Sequence, residues 1–161
     1  TNTAYGDDDY FALVVFNGIL GGFPHSKLFI NVREKASLAY YASSRIESHK
    51  GLLLVFSGIQ SSNYDKAVTI IKEQTEKMRR GDFSDEEFQQ TKSMLNNQVL
   101  ETIDSAKGAI EFIYNGVAAD SRRSVDEWVA GVNAVTREDV RRMANKVRLD
   151  TIYFLKGKEG S

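Results

Sequence analysis

Apolar positions recur at helical spacing near the start of the chain. Phe11, Val14, Val15, Gly18 and Ile19 stand at i, i+3, i+4, i+7 and i+8. This predicts a helix over about residues 10–20, with Asp9 as its cap. Gly21-Gly22 stops that helix, and Pro24, the only proline, fixes the following turn. A second short helix is predicted over residues 26–35, with Leu28, Phe29 and Val32 on one side. The pattern then changes. Residues 38–46 are rich in aromatic and small side chains and read as a strand, with a turn over 47–51. Residues 52–59 form a nearly continuous apolar run, the pattern of a strand covered on both faces or central in its sheet.

Helical spacing returns after residue 62. Tyr64, Ala67, Val68, Ile71 and Met78 predict a helix over 63–80, with Gly81 as its stop. Ser84-Asp85-Glu86-Glu87 and Ser124-Val125-Asp126-Glu127 both have the S-x-x-E form of a capping box, and Thr136-Arg137-Glu138-Asp139 is a looser version. Between the first two boxes the helical pattern breaks near Gly108. Residues 151–155 close the chain as a predicted strand. The expected fold class is therefore α+β: a two-layer sandwich of a mostly antiparallel sheet with helices packed on one face. Only three strands are clear, which is thin for so many helices. A first strand lying before Thr1 would explain both the thin sheet and the abrupt start of the chain. Residues 1–161 are thus expected to be a single domain, a C-terminal fragment of a longer protein, with a raw sheet edge that invites pairing with another chain, a dimer included.

Composition narrows the function classes. The chain has 161 residues, enough for one domain with a real core. Its net charge of −1 gives no footprint for nucleic acid or an anionic membrane. No apolar run approaches the roughly 18 residues needed to span a bilayer. The polar, acidic first ten residues resemble no targeting segment, so a cytoplasmic location is expected. There is no cysteine, which removes disulfides and thiolate metal sites.

Candidate chemistry is sparse. The two histidines, His25 and His49, form neither H-x-x-E-H nor H-E-x-x-H and are expected to be surface or turn residues. No G-x-S-x-G occurs, and Gly21 to Lys27 fails the P-loop spacing. Asp7-Asp8-Asp9 reads as a solvated cap, and the Arg122-Arg123 and Arg141-Arg142 pairs as a solvated helical face. Arg33 and Tyr40 remain. In the plainer alternative Arg33 pairs with Glu34 or Glu87 and Tyr40 is a core aromatic. In the functional one both point into a shared cleft and donate hydrogen bonds to a carbonyl or oxyanion.

The run Asn17-x-x-Leu20-Gly21-Gly22, then Ser26-x-Leu28-Phe29, then Arg33-Glu34-Lys35-x-x-Leu38-Ala39-Tyr40 resembles the non-zinc domain of the pitrilysin/insulinase metallopeptidases. That family includes the mitochondrial processing peptidases and the core proteins of respiratory complex III. Val135 to Val140 is similar to the end of such a domain. The resemblance implies the metallohydrolase-like, processing-peptidase fold, repeated in a longer protein whose halves close around a peptide. It also implies that Arg33 and Tyr40 bind substrate near the scissile bond. Zinc would sit on another domain of the parent or on a partner subunit. Losing one oxyanion donor of this kind typically costs roughly 2.7–4 kcal/mol of barrier. This chain has no H-x-x-E-H, so alone it is expected to bind no zinc and to cut no peptide. The alternative is a non-catalytic scaffold or assembly module of an inactive paralogue that pairs with an active subunit. Tyr41 beside Tyr40 leaves the register open, because adjacent strand residues face opposite ways.

Overall fold

The helix α1 (Tyr10–Asn17) is apolar on every side, and six of its eight residues are buried. A helix of that composition has to sit inside the molecule rather than on its surface. In the computed structural model, which describes residues 1–157, it does. Phe16, Leu13 and Val15 have no exposed surface, and α1 packs against α6 (Arg137–Lys146), α5 (Val125–Ala134), α3 (Asp85–Ile103) and β1 (Ala39–Glu47). Beyond Asn17 the helix widens into a π turn over Gly18–Gly22 and ends where Phe23 becomes extended. A second wide turn spans Phe29–Lys35, where a short helix is expected from the sequence.

Strand β1 pairs antiparallel with β2 (Leu52–Ile59) through a tight turn whose Gly51 has φ +61°. The register sets Ala42 opposite Ser57 and Ser44 opposite Val55. Ala42 and Ser44 are buried on the α1 side, and the Ser44 hydroxyl donates to Asn17 Oδ1 at 2.7 Å. The opposite face carries exposed Tyr41, Arg45, Leu52 and Phe56. A register shift between Ala39 and Tyr41 leaves Tyr40 without a cross-strand partner.

The remaining helices begin and end where local chemistry says they should. α2 (Tyr64–Arg80) stops at Gly81, whose φ of +77° suits glycine. α3, α5 and α6 each start from a complete capping box, led by Ser84, Ser124 and Thr136. α4 (Ala106–Ala118) is set off from α3 by a break at Asp104 and Ser105, with the Ser105 hydroxyl accepting from the Gly108 N–H at 3.0 Å.

Three expectations are corrected. Residues 151–155 form no strand: they join no ladder, Ile152, Tyr153 and Leu155 are exposed, and Phe154 rests on Tyr64 at 4.5 Å between ring centroids. Strand-forming residues become a strand only where an edge accepts their backbone, and no edge does so here. The sheet therefore has two strands among the described residues. For the same reason β2 is neither central nor covered on both faces: β1 is its one neighbour among the described residues, and Leu52, Val55 and Phe56 stay exposed. Asp9 makes no cap bond, because its backbone (φ −80°, ψ 2°) is not in the extended region from which a cap side chain reaches the first turn. Its carboxylate instead ties α1 to α6, pairing with Arg142 at 3.0 Å and with Lys146. No helix among the described residues is long and apolar enough to cross a membrane.

That ion pair has a consequence in acid. Hydrogen bonds first from Lys146 and then from Arg142 hold the Asp9 carboxyl below its ordinary range, and the Thr136 hydroxyl and N–H do the same for Asp139. With folded values depressed below the unfolded value near 4, the unfolded chain binds more protons there. The stabilisation is present above about pH 5 and is lost as pH falls through the folded values. Thermal melts from pH 6 to pH 2.5 should show a falling Tm, and Asp9→Asn should flatten part of that slope. An unchanged slope in the variant would remove Asp9 from this account.

Candidate functional site

Arg33 lies in the last turn of the Phe29–Lys35 segment, and Tyr40 seven residues on, at the irregular start of β1. Both line one open cavity of about 420 Å³, together with Ser37, Leu38, Ala39, Gln60 and Asn63. The hairpin register explains the grouping. Ala39 pairs with Ile59, so the residues after β2, Gln60 and the short 3-10 turn Ser61–Asn63, come to lie beside the entry to β1.

Neither plainer alternative describes these side chains. Tyr40 is 73% exposed and so is no core aromatic. Glu87 is engaged by Lys27 at 3.2 Å, and Arg33 forms no ion pair among the described residues. The Arg33 guanidinium lies over the Phe29 ring, 4.5 Å from its centroid. This contact steadies the side chain without using its N–H donors. The side chains of Tyr40, Gln60 and Asn63 make no hydrogen bond among the described residues, although Asn63 occupies the cap position of α2. Among the described residues no carboxylate lines the cavity.

The geometry also separates the two neighbouring tyrosines. Tyr41 sits opposite Gly58, and a Cβ on that glycine would fall 2.4 Å from Tyr41 Cε1, so the ring lies across the outer face of the sheet. Tyr41 does not line the cavity and Tyr40 does. Gln60 and Asn63 were not singled out from the sequence. The antiparallel pairing of residues 38–46 with 52–59 was the available signal, since it brings residue 60 next to residue 38.

A larger cleft of about 460 Å³ lies between α1, β1, α3 and α4, with Tyr10, Phe23, Leu95, Phe112 and Trp128 in its walls. Among the described residues it holds no carboxylate, no histidine and no paired nucleophile and base. Its Tyr10 hydroxyl contacts Ser48 Oγ at 3.3 Å, and its Arg45 pairs with Glu47 at 2.8 Å.

The residues present do not fit a zinc ion. No group of three His, Cys, Asp or Glu side chains able to hold a metal exists among the described residues. Nε2 of His25 contacts the Thr91 hydroxyl at 2.9 Å, and Nε2 of His49 contacts Asn115 Oδ1 at 3.1 Å. Burial lowers the His25 pKa, an effect the nearby Glu87 only partly opposes, so His25 is neutral at pH 7. Both rings do structural work: His25 stacks on Phe23 and His49 on Tyr5.

Comparison with known proteins decides the family. The model of the peptidase M16 inactive domain matches residues 1–95. The chain belongs to the peptidase M16 family. Bacillus subtilis YmfF, named a probable inactive metalloprotease, is 56% identical over 161 residues, which is all of this chain and 38% of YmfF. A conserved protein of Enterococcus faecalis V583 of known structure is 43% identical, with a TM-score of 0.84 over 90% of this chain and 34% of that one. The peptidase M16 inactive domain from Pseudomonas fluorescens shares the fold at 20% identity, with a TM-score of 0.75 over 89% of this chain and 35% of that one. This M16 domain therefore spans little more than a third of the length of these relatives. The M16 assignment agrees with the metallopeptidase resemblance carried by the Leu20 to Tyr40 run.

Proposed function

We propose that this M16 domain, one part of a longer cytoplasmic protein, holds an extended peptide at the cavity lined by Arg33 and Tyr40, and that any hydrolysis takes place at a zinc site on another domain or subunit. One observation carries the reading: an arginine without a counter-ion and a tyrosine side chain without a hydrogen-bond partner among the described residues, both exposed, border the same cavity. Arg33 and Tyr40 are donors suited to peptide carbonyl oxygens, and Gln60 and Asn63 can both donate to and accept from a peptide backbone. In this chain they bind and orient; no step of bond cleavage belongs to them alone. A second reading is favoured by the name of YmfF, a probable inactive metalloprotease by description. In that case the same cavity captures peptide for assembly or delivery, with no cleavage. An intact or degenerate H-x-x-E-H in the rest of the parent protein separates the two.

The shared claim is testable on this chain. Fluorescence anisotropy with a fluorescein-labelled random decapeptide library, amidated at the C-terminus, should report binding. Arg33→Ala should weaken it by about tenfold or more, since a charge-assisted hydrogen bond contributes roughly 1.5–3 kcal/mol. Tyr40→Phe should weaken it several-fold. Arg45→Ala, in the other cleft, should leave it unchanged. Equal binding by all four proteins would remove Arg33 and Tyr40 from the site.

A further inference from the structure

We propose that this cavity receives the free α-carboxylate of a peptide, so that the ligands it favours are chain ends rather than internal stretches. The inference rests on the peptide-holding reading and narrows it to one ligand class. It comes from the balance of donors and charges around the cavity. Arg33 brings a full positive charge that no acid offsets among the described residues, and no carboxylate lines the walls. Tyr40, Gln60 and Asn63 add a phenol and two side-chain amide groups that no described neighbour engages. The site therefore offers an excess of hydrogen-bond donors and one uncompensated cation.

An internal peptide carbonyl answers only part of this. It is neutral and has two lone pairs. A carboxylate carries the missing charge, is purely an acceptor with about four lone-pair sites, and matches a guanidinium two bonds at a time. Leu38 and Ala39 supply apolar wall beside the donors, where a small terminal side chain can rest. At about 420 Å³ the cavity falls within the size of small-ligand sites, roughly 300–1,000 Å³. The larger cleft differs: Arg45, the one arginine among its described lining residues, is already paired with Glu47.

The test titrates the nitrogen-15-labelled chain with N-acetyl-trialanine, once as the free acid and once as the C-terminal amide, and follows chemical shifts. The free acid should bind at least about tenfold more tightly and should move the side-chain amide signals of Gln60 and Asn63. Arg33→Gln, at an exposed position and with an otherwise preserved spectrum, should abolish the difference between acid and amide. Arg45→Gln should keep the preference. Equal affinity for acid and amide overturns the carboxylate inference and leaves peptide holding in place. A preference that survives Arg33→Gln overturns it too, by placing the carboxylate elsewhere. No shift with either compound overturns both this inference and the reading beneath it.

Discussion

Phe16→Ala is expected to cost roughly 3–5 kcal/mol, the range for truncating a fully buried phenylalanine. Phe16 is 0% exposed and belongs to α1, the helix that β1 and three other helices pack around. Its removal leaves a void that cannot close easily, because Leu13, Ile19, Leu20 and Val132 of the same core are themselves fully buried and close-packed. Domains of this size are stable by about 5–15 kcal/mol, so the loss is a large part of the whole. Urea unfolding should show a much lower midpoint with a similar slope. A loss below about 1 kcal/mol would mean that α1 is not the centre of the fold.

Gly21→Ala should cost about 1–3 kcal/mol by overpacking and should also weaken peptide binding, although Gly21 does not line the cavity. A Cβ at Gly21 would stand 2.6 Å from the Ser44 backbone nitrogen, 2.6 Å from its hydroxyl oxygen and 2.9 Å from Leu28 Cδ1. The nearest obstacle is backbone, so a side-chain rotation cannot relieve the clash and β1 itself must move. Tyr40 is on that strand, four residues earlier. Gly22→Ala is the control: its Cβ would meet Asn17 at 3.1 Å or more, so a small adjustment suffices. The same urea and anisotropy measurements should show Gly21→Ala well below Gly22→Ala in both stability and affinity. Equal values for the two would remove the close approach as the reason for a glycine at position 21.

The sequence was most legible where structure is local. Each capping box is decided by residues three apart, and Ser84 with Glu87, Ser124 with Glu127 and Thr136 with Asp139 all close as read. The stop at Gly81 and the hairpin of β1 and β2 are equally local. Legibility ended where partners come from afar. Residues 151–155 have strand chemistry but no ladder to join. Asp9 looks like a cap and is instead drawn off by Arg142 and Lys146, more than 130 residues away in the chain. Glu87, a conceivable partner for Arg33, is held by Lys27. At the site, sequence picked out Arg33 and Tyr40. The shift in register that turns Tyr40, rather than Tyr41, toward the cavity is a property of the paired strands, and so is the arrival of Gln60 and Asn63.

The most direct test of peptide holding at Arg33 and Tyr40 is to locate the bound peptide. A decapeptide library carrying a photoactivatable leucine analogue, irradiated with the 161-residue chain and mapped by mass spectrometry, reports the contact surface covalently. The account predicts adducts on residues 33–40 and 60–63, competed away by unlabelled library and lost in Arg33→Ala. Adducts confined to the larger cleft near Trp128 and Phe112, undiminished by Arg33→Ala, would contradict it.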